Sequence, residues 1–225
     1  MEKQIKVNYE YSDSYNVIRQ WLEDLPYLIA CDFEAAVKLT SEERAKYEKT
    51  LKELKENEEV EYLNIKTIES LLNASALSHP SRVNITHLSI ATSPSEAKVI
   101  IVNSPEVLSL IMDYLVTTDV KQIWHNASFD FKHIFHHTDG QMPKDFEDTQ
   151  ILAKTILNHV EVHKAGTRLK DLAGHKYGDW AVAADMFDMS NLYDEKLLKY
   201  AAIDACATFW LWESINRYII EQKEQ

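Results

Sequence analysis

The chain has 225 residues, 45% of them hydrophobic and 27% charged, with a net charge of −12 at pH 7. That length supplies one sizeable core and fits a single large α/β domain. No apolar run is long enough to span a membrane, no apolar segment follows the N-terminal lysines, and Cys31 with Cys206 makes no disulfide framework, so a cytoplasmic setting is the expectation.

The charge argues against a nucleic-acid binder held by a broad basic surface. It leaves room for a protein that grips a few nucleotides locally. Residues 121–178 hold eight Lys/Arg against seven Asp/Glu and seven of the nine histidines, so the acidity lies elsewhere.

In chain order, SYNVIRQWLED (14–24) predicts an amphipathic helix with Val17, Ile18, Trp21 and Leu22 on one face and Asp13 or Ser14 as its cap. YLIACDF follows, and 27–33 reads as a buried strand. Residues 40–62 are rich in Glu and Lys. Thr40 with Glu43 fits a capping box, and Tyr47, Leu51 and Leu54 form a thin apolar stripe. An exposed helix and a second helix over 64–74 are expected, making 41–80 a helical insertion. VNITHLSIA (83–91) and VIIV (99–102) read as a hairpin across SPSEAK. Ser104 and Pro105 open a helix, Ser as cap and Pro at its first position. VKQIW (120–124) is a short strand, and a helix capped by Asn126 follows. Another helix follows Asp148-Thr149. Residues 166–178 form a short helix between glycine breaks, and a long helix runs from about 191 to the end. The sum is a mixed sheet covered by helices, an α/β fold in a single 1–225 domain.

The acids raise the chemical question. Asp32 and Glu34 end an apolar strand, and residues i and i+2 of a strand share a face. Two neighbouring carboxylates repel and are costly to bury, and a cation removes both problems. Asp-Phe-Glu also occurs at 145–147, but after the turn-like GQMPK. Tyr-x-x-x-Asp occurs at 9–13 and at 200–204. Only the second copy lies in a convincing helix, EKLLKYAAIDACATFWLW, where i and i+4 share a face. WHNASFDF adds Asp130, one turn into its helix. His133 and His137 stand at i, i+4, but no HExxH or cysteine pair supports a zinc site.

Asp32-Phe33-Glu34 on a first strand, Asn126 to Asp130 after a middle strand, and Tyr200 to Asp204 on a late helix together resemble the three motifs of the DEDD 3′–5′ exonucleases, from about residue 12 to 215. The histidine branch carries its histidine five residues before the last aspartate. That position is Lys199 here, so the chain resembles the tyrosine branch, which includes the proofreading domain of family A DNA polymerases and the ribonuclease D group. Asp148-Thr149 is also similar to the pair opening the helix after the second motif. Phe33 and Ala35-Ala36 depart from the usual residues beside the first motif, and the 41–80 insertion is long.

The resemblance implies a ribonuclease H-like fold and a metal-dependent exonuclease releasing 5′-mononucleotides from single-stranded or frayed DNA 3′ ends, of proofreading type. It implies two divalent ions, Mg²⁺ or Mn²⁺, held by Asp32, Glu34, Asp130 and Asp204, with Tyr200 orienting the attacking water. Hard cations prefer oxygen ligands, so a carboxylate cluster suits them. Phe33, Asn126, Phe129, Arg168 and Lys170 are the candidate substrate contacts, by stacking or by gripping phosphates. A DNA polymerase or replication protein is a candidate partner. The alternatives are a ribonuclease D-like exoribonuclease and, in another class, a catalytically silent module binding nucleic acid or a polymerase.

Overall fold

The computed structural model describes residues 4–37, 41–56, 80–157, 166–178, 180 and 191–223. Six strands form one mixed sheet in the order β1-β4-β3-β2-β5-β6. They are β1 (Asn8–Ser12), β2 (Leu28–Val37), β3 (Val83–Ser93), β4 (Glu96–Ile101), β5 (Lys121–Trp124) and β6 (Phe146–Asp148). β1 runs parallel to β4, β2 to β5 and β5 to β6, while β3 and β4 form the antiparallel hairpin. The described helices are α1 (Tyr15–Glu23), α2 (Ser41–Glu56), α3 (Pro105–Thr117), α4 (Ser128–His137), α5 (Thr149–Ile156), α6 (Leu169–Tyr177) and α7 (Glu195–Lys223).

The strand carrying Asp32 and Glu34 lies inside the sheet, between β3 and β5. Its apolar run Ile29, Ala30 and Cys31 is fully buried, as a strand covered on both faces requires. One face packs Ala30, Ala91, Ala97, Val99, Ile101 and Ile123 against α5, α6 and α7. Ile29, Leu88, Ile90 and Ile100 alternate with these and face the other way. Asp32 and Glu34 share the parity of Ala30, so they point towards α7.

α7 lies close on the sheet because its inner face is built of small residues, Ala201, Ala202, Ala205 and Ala207, all fully buried. Its 29 residues span about 43 Å, and its far end leaves the core at the exposed Tyr218 and Ile220.

Several expectations need correction. β1 and β6 were not foreseen, because three to five residues with mixed polarity give no clear period. Val17 is exposed, and Ile18 and Leu22 alone are buried on α1. Asn126 does not cap α4. Ala127 holds that position, and Asn126 adopts a left-handed φ of 61°. β3 is buried on both faces, so its polar Thr86, His87 and Ser89 are buried with its apolar residues. Their polar groups are satisfied inside: Ser89 Oγ donates to the Asp32 carbonyl at 3.2 Å and Thr86 Oγ1 to that of Glu34 at 3.1 Å. Ser104 does cap α3, accepting from the Val107 N–H.

The chain divides into two compact units, residues 1–34 with 85–225, and residues 35–84. In the smaller unit, α2 has the expected half-buried stripe of Tyr47, Leu51 and Leu54. The expected cap Thr40 and the helix over 64–74 fall outside the described residues. Among the described residues no helix is long and apolar enough to cross a membrane.

Candidate active site

Carboxylate oxygens of Asp32, Glu34 and Asp204 gather within 4.8 Å of one another. Strand alternation brings the first two to one face, and α7 lays Asp204 over it. Asp204 is 6% exposed, so its charge needs partners. Trp180 Nε1 donates to its Oδ1 at 2.6 Å, and Lys170 Nζ stands 3.4 Å from its Oδ2.

Asp130, 3% exposed, stands outside that group of three. Its Oδ1 accepts the Phe33 N–H at 3.2 Å, which ties it to the strand between Asp32 and Glu34. Tyr200 lies one turn before Asp204, and its hydroxyl accepts a hydrogen bond from Lys170 Nζ.

Burial is the largest influence on all four acids and pushes each carboxyl up. Asp32 rises well above the carboxylate range, helped by Asp204, Glu34 and Asp130. Glu34 and Asp130 are each pushed up to about 8, the Phe33 N–H holding Asp130 back. Asp204 is raised by burial against the opposing pull of Lys170 and Trp180. Tyr200 is also raised, by burial first and then by Asp204 and Glu34.

The donor set fits a hard divalent cation. It consists of carboxylate oxygens only, and Glu34 Oε1 is buried without a hydrogen-bond partner among the described residues. An orphaned acceptor of this kind is costly unless something positive completes it.

The other sequence candidates separate. Phe33 is 4% exposed and its ring lies 5.6 Å from that of Trp124, itself fully buried. Phe129 is half-buried against His133. Asn126 is exposed and its side chain accepts from Ser128 Oγ. Arg168 is 82% exposed and clasps Asp171 through two nitrogens, at 2.7 and 2.9 Å. Lys170 alone among these five reaches the acids with its side chain.

The duplicate motifs are spent on structure. Glu147 pairs with Lys121 and accepts from Trp212 Nε1 at 2.6 Å. Asp13 accepts from Tyr193 and Asn103.

Two residues that sequence reasoning missed support the site. Trp180, beyond the glycine break after α6, holds Asp204. A buried indole N–H needs an acceptor, and the nearby apolar helix with one acid was the available signal. Asp148 does more than open a helix. Its carboxylate accepts the Gln150 and Ile151 N–H groups of α5 and also the Asn126 and Ala127 N–H groups, at 3.0 and 2.9 Å. It thereby anchors the turn that leads into Asp130.

A mixed six-stranded sheet covered by helices in this order is a ribonuclease H-like α/β fold. Comparison with solved structures bears this out. Brucella melitensis NrnC with bound Mg²⁺ is 15% identical, covers 97% of this chain and 84% of its own, and gives a TM-score of 0.53. Escherichia coli RNase D, an exoribonuclease involved in structured RNA processing, is 15% identical over 97% of this chain and 46% of its own, at 0.51. The catalytic core of RRP6 from Trypanosoma brucei is 10% identical over 99% of this chain and 51% of its own, at 0.55. The chain thus spans about half of the last two. No family model matches the chain, and comparison with curated proteins returned no relative.

Proposed function

We propose that the protein is a metal-dependent 3′–5′ exonuclease that removes 5′-mononucleotides from single-stranded or frayed nucleic-acid ends. The observation that carries this is the convergence of Asp32, Glu34 and Asp204 within 4.8 Å, with Tyr200 one turn away and Asp130 bonded to the intervening backbone. Asp32, Glu34 and Asp204 would hold one divalent ion, and Asp32 with Asp130 a second, Mg²⁺ or Mn²⁺. Such a pair, when bound, supplies an activated water and stabilises the leaving oxygen. Tyr200, uncharged, positions that water by hydrogen bonding. Phe129, half-buried near the start of α4, and the exposed Asn126 are the candidate contacts to the terminal nucleotide. Phe33 would act on it only through its backbone and its packing.

Two substrates stand beside each other. Proofreading of DNA, in partnership with a separate polymerase, is one. Ribonuclease D-like trimming of RNA fits at least as well, since RNase D is an exoribonuclease of the same fold and NrnC has been solved with bound pGG. Digestion of matched DNA and RNA oligomers, labelled at the 5′ end, with Mg²⁺ and with Mn²⁺, separates them. A ladder shortening from the 3′ end is expected, lost in Asp32→Asn. Shortening from the 5′ end, or equal turnover in Asp32→Asn, overturns the assignment.

A further inference from the structure

We propose that Lys170 is a positioning residue for this site: its ammonium ties the Tyr200 hydroxyl to the Asp204 carboxylate, and its charge weakens divalent-ion binding at the acids. The proposal rests on the exonuclease reading above and assigns Lys170 a role other than gripping phosphates.

Lys170 sits in the first turn of α6 with its side chain 31% exposed. Its ammonium donates to the Tyr200 hydroxyl, lies 4.3 Å from the centre of that ring and stands 3.4 Å from Asp204 Oδ2. Its neighbour Arg168, two positions earlier, is 82% exposed and committed to Asp171. The inward reach therefore belongs to position 170 and is not a property of this basic stretch.

An ammonium has three donors and no acceptor. It can serve the hydroxyl and the carboxylate together, fixing their separation across one turn of α7. Because it donates to the tyrosine oxygen, the hydroxyl's own proton is turned to an acceptor, and Asp204 is one that it bonds. Lys170, Tyr200 and Asp204 thus close a ring of hydrogen bonds in which Tyr200 is the donor to the carboxylate. The same charge faces Asp32 and Glu34 as well as Asp204, and its attraction lowers the carboxyls that burial raises. A cation so placed repels an incoming dication and competes with it for Asp204.

Lys170→Met keeps the length and removes the charge, while Lys170→Arg keeps the charge. Free Mn²⁺ measured by electron paramagnetic resonance gives the affinity of the full chain for the ion, and kcat and KM are read at saturating Mn²⁺ on a 5′-labelled oligomer. Lys170→Met should bind Mn²⁺ roughly tenfold more tightly than the parent, with kcat down about tenfold and KM within about threefold. Lys170→Arg should return the Mn²⁺ affinity to within about threefold of the parent. Should the methionine variant not fold, as read by circular dichroism, Lys170→Gln takes its place. Unchanged Mn²⁺ affinity on loss of the charge overturns the proposal, as does a raised KM at constant kcat, the mark of a phosphate grip. A parent chain that binds no Mn²⁺ overturns the metal site itself, and the proposal with it. A parent that binds Mn²⁺ but digests nothing sinks the exonuclease reading alone, and the affinity comparison still tests the charge.

Discussion

At the scale of single residues, the site is a balance between the cost of burying acids and the donors supplied to them. Trp180→Phe keeps most of the ring and removes the N–H that reaches Asp204 Oδ1. A hydrogen bond to a charged group contributes roughly 1.5–3 kcal/mol, so the variant should lose about that much stability in urea denaturation. The proposed hydrolysis should also fall, since Asp204 is then free to turn. Unchanged stability and turnover would show that the indole is packing alone. His125 makes the opposite case, a neutral group kept neutral. Its ring bonds Thr149 Oγ1 and the Thr167 carbonyl, and burial pushes it down to about 4 from 6.5. The unfolded chain therefore takes up a proton below pH 6.5 that the folded chain refuses until about pH 4. Stability is fully present above that window and lost through it, by up to about 3 kcal/mol. Comparison of the parent with His125→Asn in urea at pH 7, 6, 5 and 4 isolates this loss. Parallel curves would mean His125 contributes none of it.

At the scale of elements, Asp148 links two of them. It caps α5 and takes two further N–H groups from the turn before α4. A cap contributes roughly 0.5–2 kcal/mol, and the two extra bonds to a charged acceptor raise the expected loss in Asp148→Ala to about 3 kcal/mol. Asp148→Asn, which keeps one acceptor, should recover part of it. Denaturation midpoints of the two variants make the check. The sequence made Asp148 legible as a helix opener, because capping is local. Its hold on Asn126 and Ala127 was hidden, because those partners lie more than twenty positions away and meet it only when β5 and β6 pair in parallel. The left-handed Asn126 belongs to the same turn. Read locally it looked like a cap, and only the strand-to-helix turn gave it another conformation.

At the scale of the molecule, Asp32, Glu34, Asp130, Tyr200 and Asp204 all belong to the larger compact unit. We expect that replacing 41–61, a segment with eight Glu against five Lys/Arg, by a short Gly/Ser linker leaves metal-dependent hydrolysis of a dinucleotide intact and changes rates on a 20-mer. Comparing the two rates in the deletion and the parent tests this. If a folded deletion loses dinucleotide cleavage, the segment is part of the catalytic machinery.

The sequence by itself determined which acids share a face and the class of fold. Alternation put Asp32 and Glu34 on one face, helical spacing put Tyr200 above Asp204, and an apolar setting told the copies of each motif that gather from Asp145, Glu147, Tyr9 and Asp13. These are periodicities of the backbone, fixed within a few residues. The tertiary structure alone decided which way the side chains around the glycine break turned. Arg168 went to Asp171, and Lys170 and Trp180 to Asp204. A residue on a short helix or beside a glycine break has no strong period to orient it. Its direction is set by which buried charge or unfilled space lies within reach once distant elements have packed.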